Sequence, residues 1–211
     1  MSIQLTTIAV MEAIRPPSAG GHYADDPNLL ARANQWLNST SQWFQNQVGY
    51  SLSLATDTLL LSGKGVRLLP VPRPPIVQVI SLTVAGTNWP VLDVGGAEAC
   101  QFAMVEPETR AALVSRYWPW PQGWGNIQAQ IICGYGTVDN TTNPATLTTV
   151  IPDDVQTAVA LFATIGCLEA TFAGLGGETI GAEHVAMLAR NKKDYDSILD
   201  TVLYYRRMVM I

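Results

Sequence analysis

The sequence predicts an α+β fold: a helical bundle with an antiparallel β region inserted into it. Three observations lead there. Apolar residues recur at three- and four-residue spacing near both ends of the chain, the helical period. Between Tyr50 and Tyr135 the period falls to two, with Gly, Pro and Asn punctuation, as strands and turns require. At 211 residues and 48% hydrophobic content, the chain can bury about 70% of its unfolded surface without staples. We read one domain, 1–211, with N-terminal helices in 1–49, a β-rich region in 50–136, a central helix in 151–175 and a C-terminal helix and tail in 182–211.

The central helix is the strongest element. Ile151-Pro152-Asp153-Asp154-Val155 opens it. Proline is tolerated in a first turn because its missing N–H had no partner there, and the two acids meet the positive end of the helix dipole. Val155, Val159, Phe162, Ile165 and Phe172 follow at helical spacing. The other faces hold Ala158, Ala160, Leu161, Ala163, Cys167 and Leu168, so the helix must be covered on most sides. Gln156, Thr157, Thr164 and Glu169 leave its apolar run short of the roughly 20 residues a membrane span needs. Gly174, Gly176 and Gly177 end it.

Upstream, Ile8, Met11 and Ile14 mark a short helix within Leu5–Arg15, stopped by Pro16-Pro17. Asp25-Asp26-Pro27 starts a second. Its apolar face is Leu29, Leu30, Ala33, Trp36, Leu37, Phe44 and Val48; Arg32, Asn34, Gln35, Asn38 and Gln42 form the wet side, and Gly49 ends it. In the β region, Thr58–Leu61 and Val66–Leu69 flank Ser62-Gly63-Lys64-Gly65 as a hairpin. Gly63-Lys64 is not a phosphate loop: Thr58 stands where the first glycine would be, and Gly65 takes the Ser/Thr place. Prolines 70, 72, 74 and 75 make an extended edge or linker. Val77–Val84 reads as a strand with Ile80, Leu82 and Val84 on one face, turned by Ala85–Asn88 into Trp89–Val94. A weaker strand covers Phe102–Val105, turning at Pro107-Glu108.

Tyr117–Gly125 gathers Trp118, Trp120 and Trp124, three of the six tryptophans, in a Pro/Gly-rich loop. Two readings stand: a stacking or docking surface, or a loop folded back to plug the core. Ile127, Ala129 and Ile131 then alternate with Gln128 and Gln130, leading into Cys133-Gly134-Tyr135-Gly136. Thr137–Val150 reads as a polar loop. Glu183 begins the last helix, with Val185, Leu188, Tyr195, Ile198, Leu199 and Val202 as its stripe. Its end, Tyr204-Tyr205-Arg206-Arg207-Met208-Val209-Met210-Ile211, is aromatic, basic and then apolar, where a terminus is usually polar. It is either docked on its own core or a tail that orders on a partner.

Composition excludes several functions. Charged residues are only 14%, against the usual quarter or so, which favours a chain that hides surface in an oligomer. A net charge of −5 argues against a dedicated nucleic-acid binder. Cys100, Cys133 and Cys167 are widely spaced in apolar contexts and read as buried thiols of a reducing compartment. The N-terminus lacks the pattern of a signal peptide. His22 and His184 lie at no ligand spacing, and Asp25-Asp26 and Asp153-Asp154 are better explained as helix starts than as acid–base pairs. We find no catalytic constellation, no metal site and no cofactor motif, and expect a protein that is not an enzyme.

The order of these elements resembles the head–tail connector, or adaptor, proteins of tailed bacteriophages. The resemblance runs from Thr6 to Ala173. It lies in the helix pair, the proline-bearing strand start Leu69-Pro70-Val71-Pro72-Arg73-Pro74-Pro75-Ile76-Val77, the strand ending Cys133-Gly134-Tyr135-Gly136 and the Ile-Pro-x-x-Val start of the central helix. It implies a structural virion protein at the head–tail junction, made in the host cytoplasm and needing no cofactor. Its copies would form a homo-oligomeric ring, commonly of about twelve, beneath the portal protein. The β part would face a tail-side neck or tail protein, and DNA would pass through the lumen without specific binding or membrane contact. The same resemblance makes Tyr204, Tyr205, Arg206, Arg207, Met208 and Ile211 portal-contact candidates. Trp118, Trp120 and Trp124 become partner or ring-contact candidates, although this loop has more aromatics than the family pattern and Thr137–Val150 is long. An acidic subunit suits a channel that must not retain phosphates; acids are expected to outnumber bases on the lumen wall. The competing reading is a non-catalytic binding module whose tryptophan loop takes a carbohydrate or peptide.

Overall fold

Two helix starts show how directly the local chemistry is used. Asp26 caps α2 (Pro27–Val48): its carboxylate accepts the Asn28 N–H at 2.8 Å and Pro27 occupies the first turn. Gly49 closes the helix in the left-handed conformation, φ +89°, donating its N–H to the Gln45 carbonyl at 2.9 Å. Asp153 and Asp154 occupy the first turn of α3 (Asp153–Ala173), directly after Pro152. The computed structural model describes residues 4–14, 16, 21–89, 103–108, 110–142, 145–173 and 182–207, and side chains outside 168–191. The fold is α+β and the chain divides into two compact units, one of Met1–Gly49 with Ile151–Arg206, the other built on Tyr50–Val150.

The helical unit holds α1 (Ile8–Ile14), a 3-10 turn at Tyr23–Asp25, α2, α3 and α4 (Ala182–Arg207). Helices α1 and α2 both pack on α3. Val155, Ala158, Val159, Ala160, Ala163, Ile165 and Cys167 of α3 are all buried, so most of its circumference is covered within a single copy. Thr164, also buried, donates its hydroxyl to the Ala160 carbonyl at 2.7 Å, which lets a polar residue sit in that core. Met11, Ala33, Leu37 and Tyr23 meet the same core. The close approach of α2 is set by Gly166: a methyl there would lie 2.5 Å from the Trp36 ring. Two buried polar residues of α2 fell outside the apolar stripe. Ser41 accepts the Leu5 N–H at 3.1 Å, pinning the N-terminal segment, and Thr40 bonds back to the Trp36 carbonyl at 2.8 Å.

The second unit contains three antiparallel sheets. The largest has strand order β1 (Ala55–Gly63), β7 (Gly123–Cys133), β3 (Ile76–Val84), β4 (Thr87–Trp89). The second has order β2 (Leu68–Pro70), β6 (Ala112–Ser115), β5 (Ala103–Val105); β8 (Gly136–Asp139) and β9 (Thr146–Thr149) form a separate pair. One core joins the first two sheets: Leu69 and Val71, then Ile76, Val79, Leu82 and Val84, then Leu113, then Ile127, Ala129 and Ile131.

Four expectations are corrected. Thr58–Leu61 and Val66–Leu69 are not partners in a hairpin: β1 pairs with β7 and β2 with β6, in different sheets. The turn between them is instead taken up by the tryptophan loop. Gly65 donates to the Trp120 carbonyl at 3.1 Å and Trp120 to the Val66 carbonyl at 2.9 Å, while a methyl on Gly63 would strike the Pro121 carbonyl at 1.9 Å. Ile80 does not share the inward face with Leu82 and Val84. A bulge between Val79 and Ser81 breaks the alternation and leaves Ile80 exposed. The segment Thr137–Val150 is not a loop throughout but the β8–β9 hairpin, whose Thr-rich arms suit strands. Leu199 of α4 lies outside the buried stripe, which runs through Ile198, Val202 and Tyr205.

Other expectations meet the structure, one of them in narrower form. Pro70 lies in β2, an edge strand, where its missing N–H breaks no ladder. The turn expected over Ala85–Asn88 is tighter: Ala85 and Gly86, at φ +49° and +79°, make it alone, and Thr87 and Asn88 already pair with β3 in β4. Strand β6 was not foreseen. Residues 90–94, Phe102, the three glycines after α3, and the Val185 and Leu188 side chains lie outside the description.

Candidate functional site

The tryptophan loop divides between the two roles open to it. Trp120 is the plug: it is 1% exposed, stacks on Trp89 with centroids 5.5 Å apart at 20°, and donates its indole N–H to the Arg67 carbonyl at 2.9 Å. A buried indole needs such a partner. Trp118 and Trp124 point to solvent, 50% and 98% exposed. Trp124 is already on β7, where the strand leaves its inward–outward alternation at Gly123 and Gly125. Tyr117, 61% exposed, lies against Trp118.

Sequence reasoning missed two residues that join this surface, Leu60 and Val66. Leu60 packs beside Gly125, and the Gly125 N–H reaches the Ser62 hydroxyl at 3.0 Å. Leu60 is the middle of three leucines on β1, so strand alternation forces it outward between half-buried Leu59 and Leu61. That signal was available in the sequence, where Thr58–Leu61 already reads as a strand.

The end of α4 is divided too. Tyr205 is buried, its ring edge-on to Phe44, and its hydroxyl donates to both Asp154 oxygens at 2.9 and 3.1 Å. The acid that begins α3 is therefore also the anchor of α4. Tyr204 and the Arg206 and Arg207 side chains face solvent. Met208 and Ile211 lie outside the described residues. Of the portal-contact candidates, Tyr205 belongs to the core of its own unit.

The remaining chemistry is structural. Arg73 donates to both Asp57 oxygens at 3.1 and 2.8 Å and to the Ser53 carbonyl at 2.7 Å, tying the proline segment to β1. Burial pushes the Cys133 thiol up to about 12, with Asp57 adding to the rise and Arg73 opposing it. Burial also raises Cys167, opposed by Arg32. Both are protonated, sheltered thiols rather than nucleophiles; Cys100 lies outside the description. The His22 N–H donates to Asp25 at 2.8 Å, its ring lies 3.5 Å from Glu12, and Glu12 also accepts the Tyr23 N–H at 2.7 Å. These bonds fasten a loop to α1. The His184 side chain is outside the description. Among the described residues, no three His, Cys, Asp or Glu groups could hold a metal ion, and no helix is long and apolar enough to cross a membrane.

No protein-family model matches the chain, and no curated protein matches it. Two solved structures are similar in outline. One is described as the neck of a native gene transfer agent particle computed with C12 symmetry: 15% identity, 86% of this chain and 87% of that chain covered, TM-score 0.40. The other is the virion of a native gene transfer agent particle: 15% identity, 86% and 82% covered, TM-score 0.44. Likeness at these values assigns no role.

Proposed function

We propose that this chain is a non-catalytic structural subunit of a phage-like particle, a connector that forms a ring between capsid and tail. The observation behind this reading is the order of the motifs, with each one falling at an element boundary. The proline run feeds β3, Cys133-Gly134-Tyr135-Gly136 joins β7 to β8, and Ile151-Pro152 precedes α3. Gly134 is held at φ +111°, and any side chain there would meet the Ser53 carbonyl at 2.2 Å, so the Gly-Tyr turn is fixed by backbone contact. In this reading 1–211 works as one connector domain, copies close into a ring through two heterologous faces, and DNA passes through the lumen. Exposed Tyr204, Arg206 and Arg207 meet a portal in this reading, as do Met208 and Ile211, which lie outside the described residues; the tail side meets a neck or tail protein.

The test is assembly. Mixed with the portal of its own particle, the chain should form annular complexes visible by negative stain. A chain that stays single-copy and never attaches to the portal refutes the proposal. The 98% exposure of Trp124 favours one second reading, a module that stacks a sugar or peptide on Trp118 and Trp124. Retention on a glycan column by a strictly monomeric chain would select it.

A further inference from the structure

Five of the seven exposed large apolar residues described in the β unit fall on two adjoining stretches, with Ile80 and Val150 outside them. Leu60, Val66, Tyr117, Trp118 and Trp124 are each at least half exposed, at 70%, 51%, 61%, 50% and 98%. They lie on two backbone stretches, 60–67 and 117–125, that are hydrogen-bonded side by side. Gly63 faces Gly123, Gly65 donates to Trp120, Trp120 to Val66, and Gly125 to Ser62. Single exposed hydrophobics need no explanation, but a contiguous group rich in tryptophan marks an interaction surface.

Its charge is equally one-sided. Lys64 and Arg67 sit exposed within it, and the sequence has no Asp or Glu in 58–92 or in 109–138. This patch is basic on a chain whose net charge is −5. The excess of acid lies elsewhere: residues 1–49 and 151–206, the helical unit, carry eleven Asp and Glu against six Lys and Arg, with Asp25, Asp26, Asp153, Asp196 and Asp200 exposed.

We propose that this aromatic, basic patch is a contact between copies of the chain, docking on the net-acidic helical unit of a second copy. The partner is chosen by charge: the surface needs an acidic counterpart, and the chain itself carries one. The contact is heterologous, since a basic patch repels its own image, and heterologous contacts propagate into rings. The inference rests on the ring reading for closure, and names the surface that makes the ring.

The test uses the full chain and sedimentation or mass photometry across protein concentration. Wild type should self-associate, more weakly as NaCl rises because opposite charges are being screened. The double variant Leu60→Ser/Trp124→Ser should weaken association at least about tenfold, and Lys64→Glu should weaken it further. Both double-variant positions face solvent, so the thermal transition of the variant should match wild type and report an intact fold. The proposal is overturned if the double variant associates like wild type, in which case some other face builds the ring and the connector reading stands. It is also overturned if added salt strengthens association, or if wild type stays monomeric at about 100 µM. In the last case portal-induced assembly alone decides the connector reading. Capture of a glycan by Trp118 and Trp124 in that monomer would overturn both.

Discussion

Replacing Trp120 with alanine tests the division of the tryptophan loop into plug and surface. Trp120 is 1% exposed, and truncating a fully buried tryptophan costs about 3–5 kcal/mol through lost burial and the cavity left behind. Its stack on Trp89 at 5.5 Å adds up to about 1 kcal/mol. The lost indole bond to the Arg67 carbonyl costs little, because that carbonyl still accepts the Ser115 N–H at 2.9 Å. We expect about 4–5 kcal/mol in total. With a urea m-value of about 2 kcal/mol/M, the midpoint should fall by about 2 M. Trp124→Ala, four residues on and 98% exposed, should change stability by less than about 0.5 kcal/mol. Urea unfolding followed by far-UV circular dichroism at low protein concentration measures both. A loss under about 1 kcal/mol for Trp120→Ala, or equal losses for the two variants, would refute the assignment.

Phe162 is half-buried, edge-on to Trp43 at 4.6 Å and to Tyr195 at 5.6 Å. Its replacement by alanine should cost about 2–3 kcal/mol in the same assay, below the range for a fully buried phenylalanine. Gly134→Ala forces a methyl into the Ser53 carbonyl at positive φ and should cost at least about 2 kcal/mol; a neutral result would mean the Gly-Tyr turn is drawn wrongly. Removing residues from Arg206 onward should leave the thermal transition in place. Removing them from Tyr204 onward also deletes Tyr205 and its bonds to Asp154, and should lower stability by about 3 kcal/mol or more. The Cys133 thiol, pushed up from 9.0 to about 12, is held neutral by the fold. Its contribution to stability is therefore complete below pH 9 and is lost as pH rises from there towards 12. In alkaline unfolding titrations Cys133→Ala should flatten that decline, and native Cys133 should resist thiol reagents at neutral pH until the protein unfolds.

The helices were legible because their signals are local. Asp26, Pro27 and Gly49 bracket α2 by capping chemistry alone, and Pro152 with two acids does the same for α3. The strands were legible singly but not in their pairing. Nothing in Val66–Leu69 reveals that it will bond to Ala112–Ser115 rather than to Thr58–Leu61, because pairing is decided by contacts distant in sequence. The bulge that turns Ile80 outward is likewise invisible to a period-two count. In the β8–β9 hairpin, polar composition outweighed the strand preference of threonine. For the candidate surface, the tryptophan cluster drew attention to the right loop. Only the structure separates Trp120 from its neighbours, adds Leu60 and Val66, and shows Tyr205 serving the core.

The proposed role makes this chain one member of an annulus at the neck of a particle. Electron-microscopic reconstruction of purified particles containing the chain measures that directly. Ring density made of repeated copies is expected at the head–tail junction, each copy holding α3 inward of its own helices and its Trp124 surface covered by a neighbouring copy. Particles lacking the chain, or a neck holding it as a lone copy with Trp124 open to solvent, would contradict it.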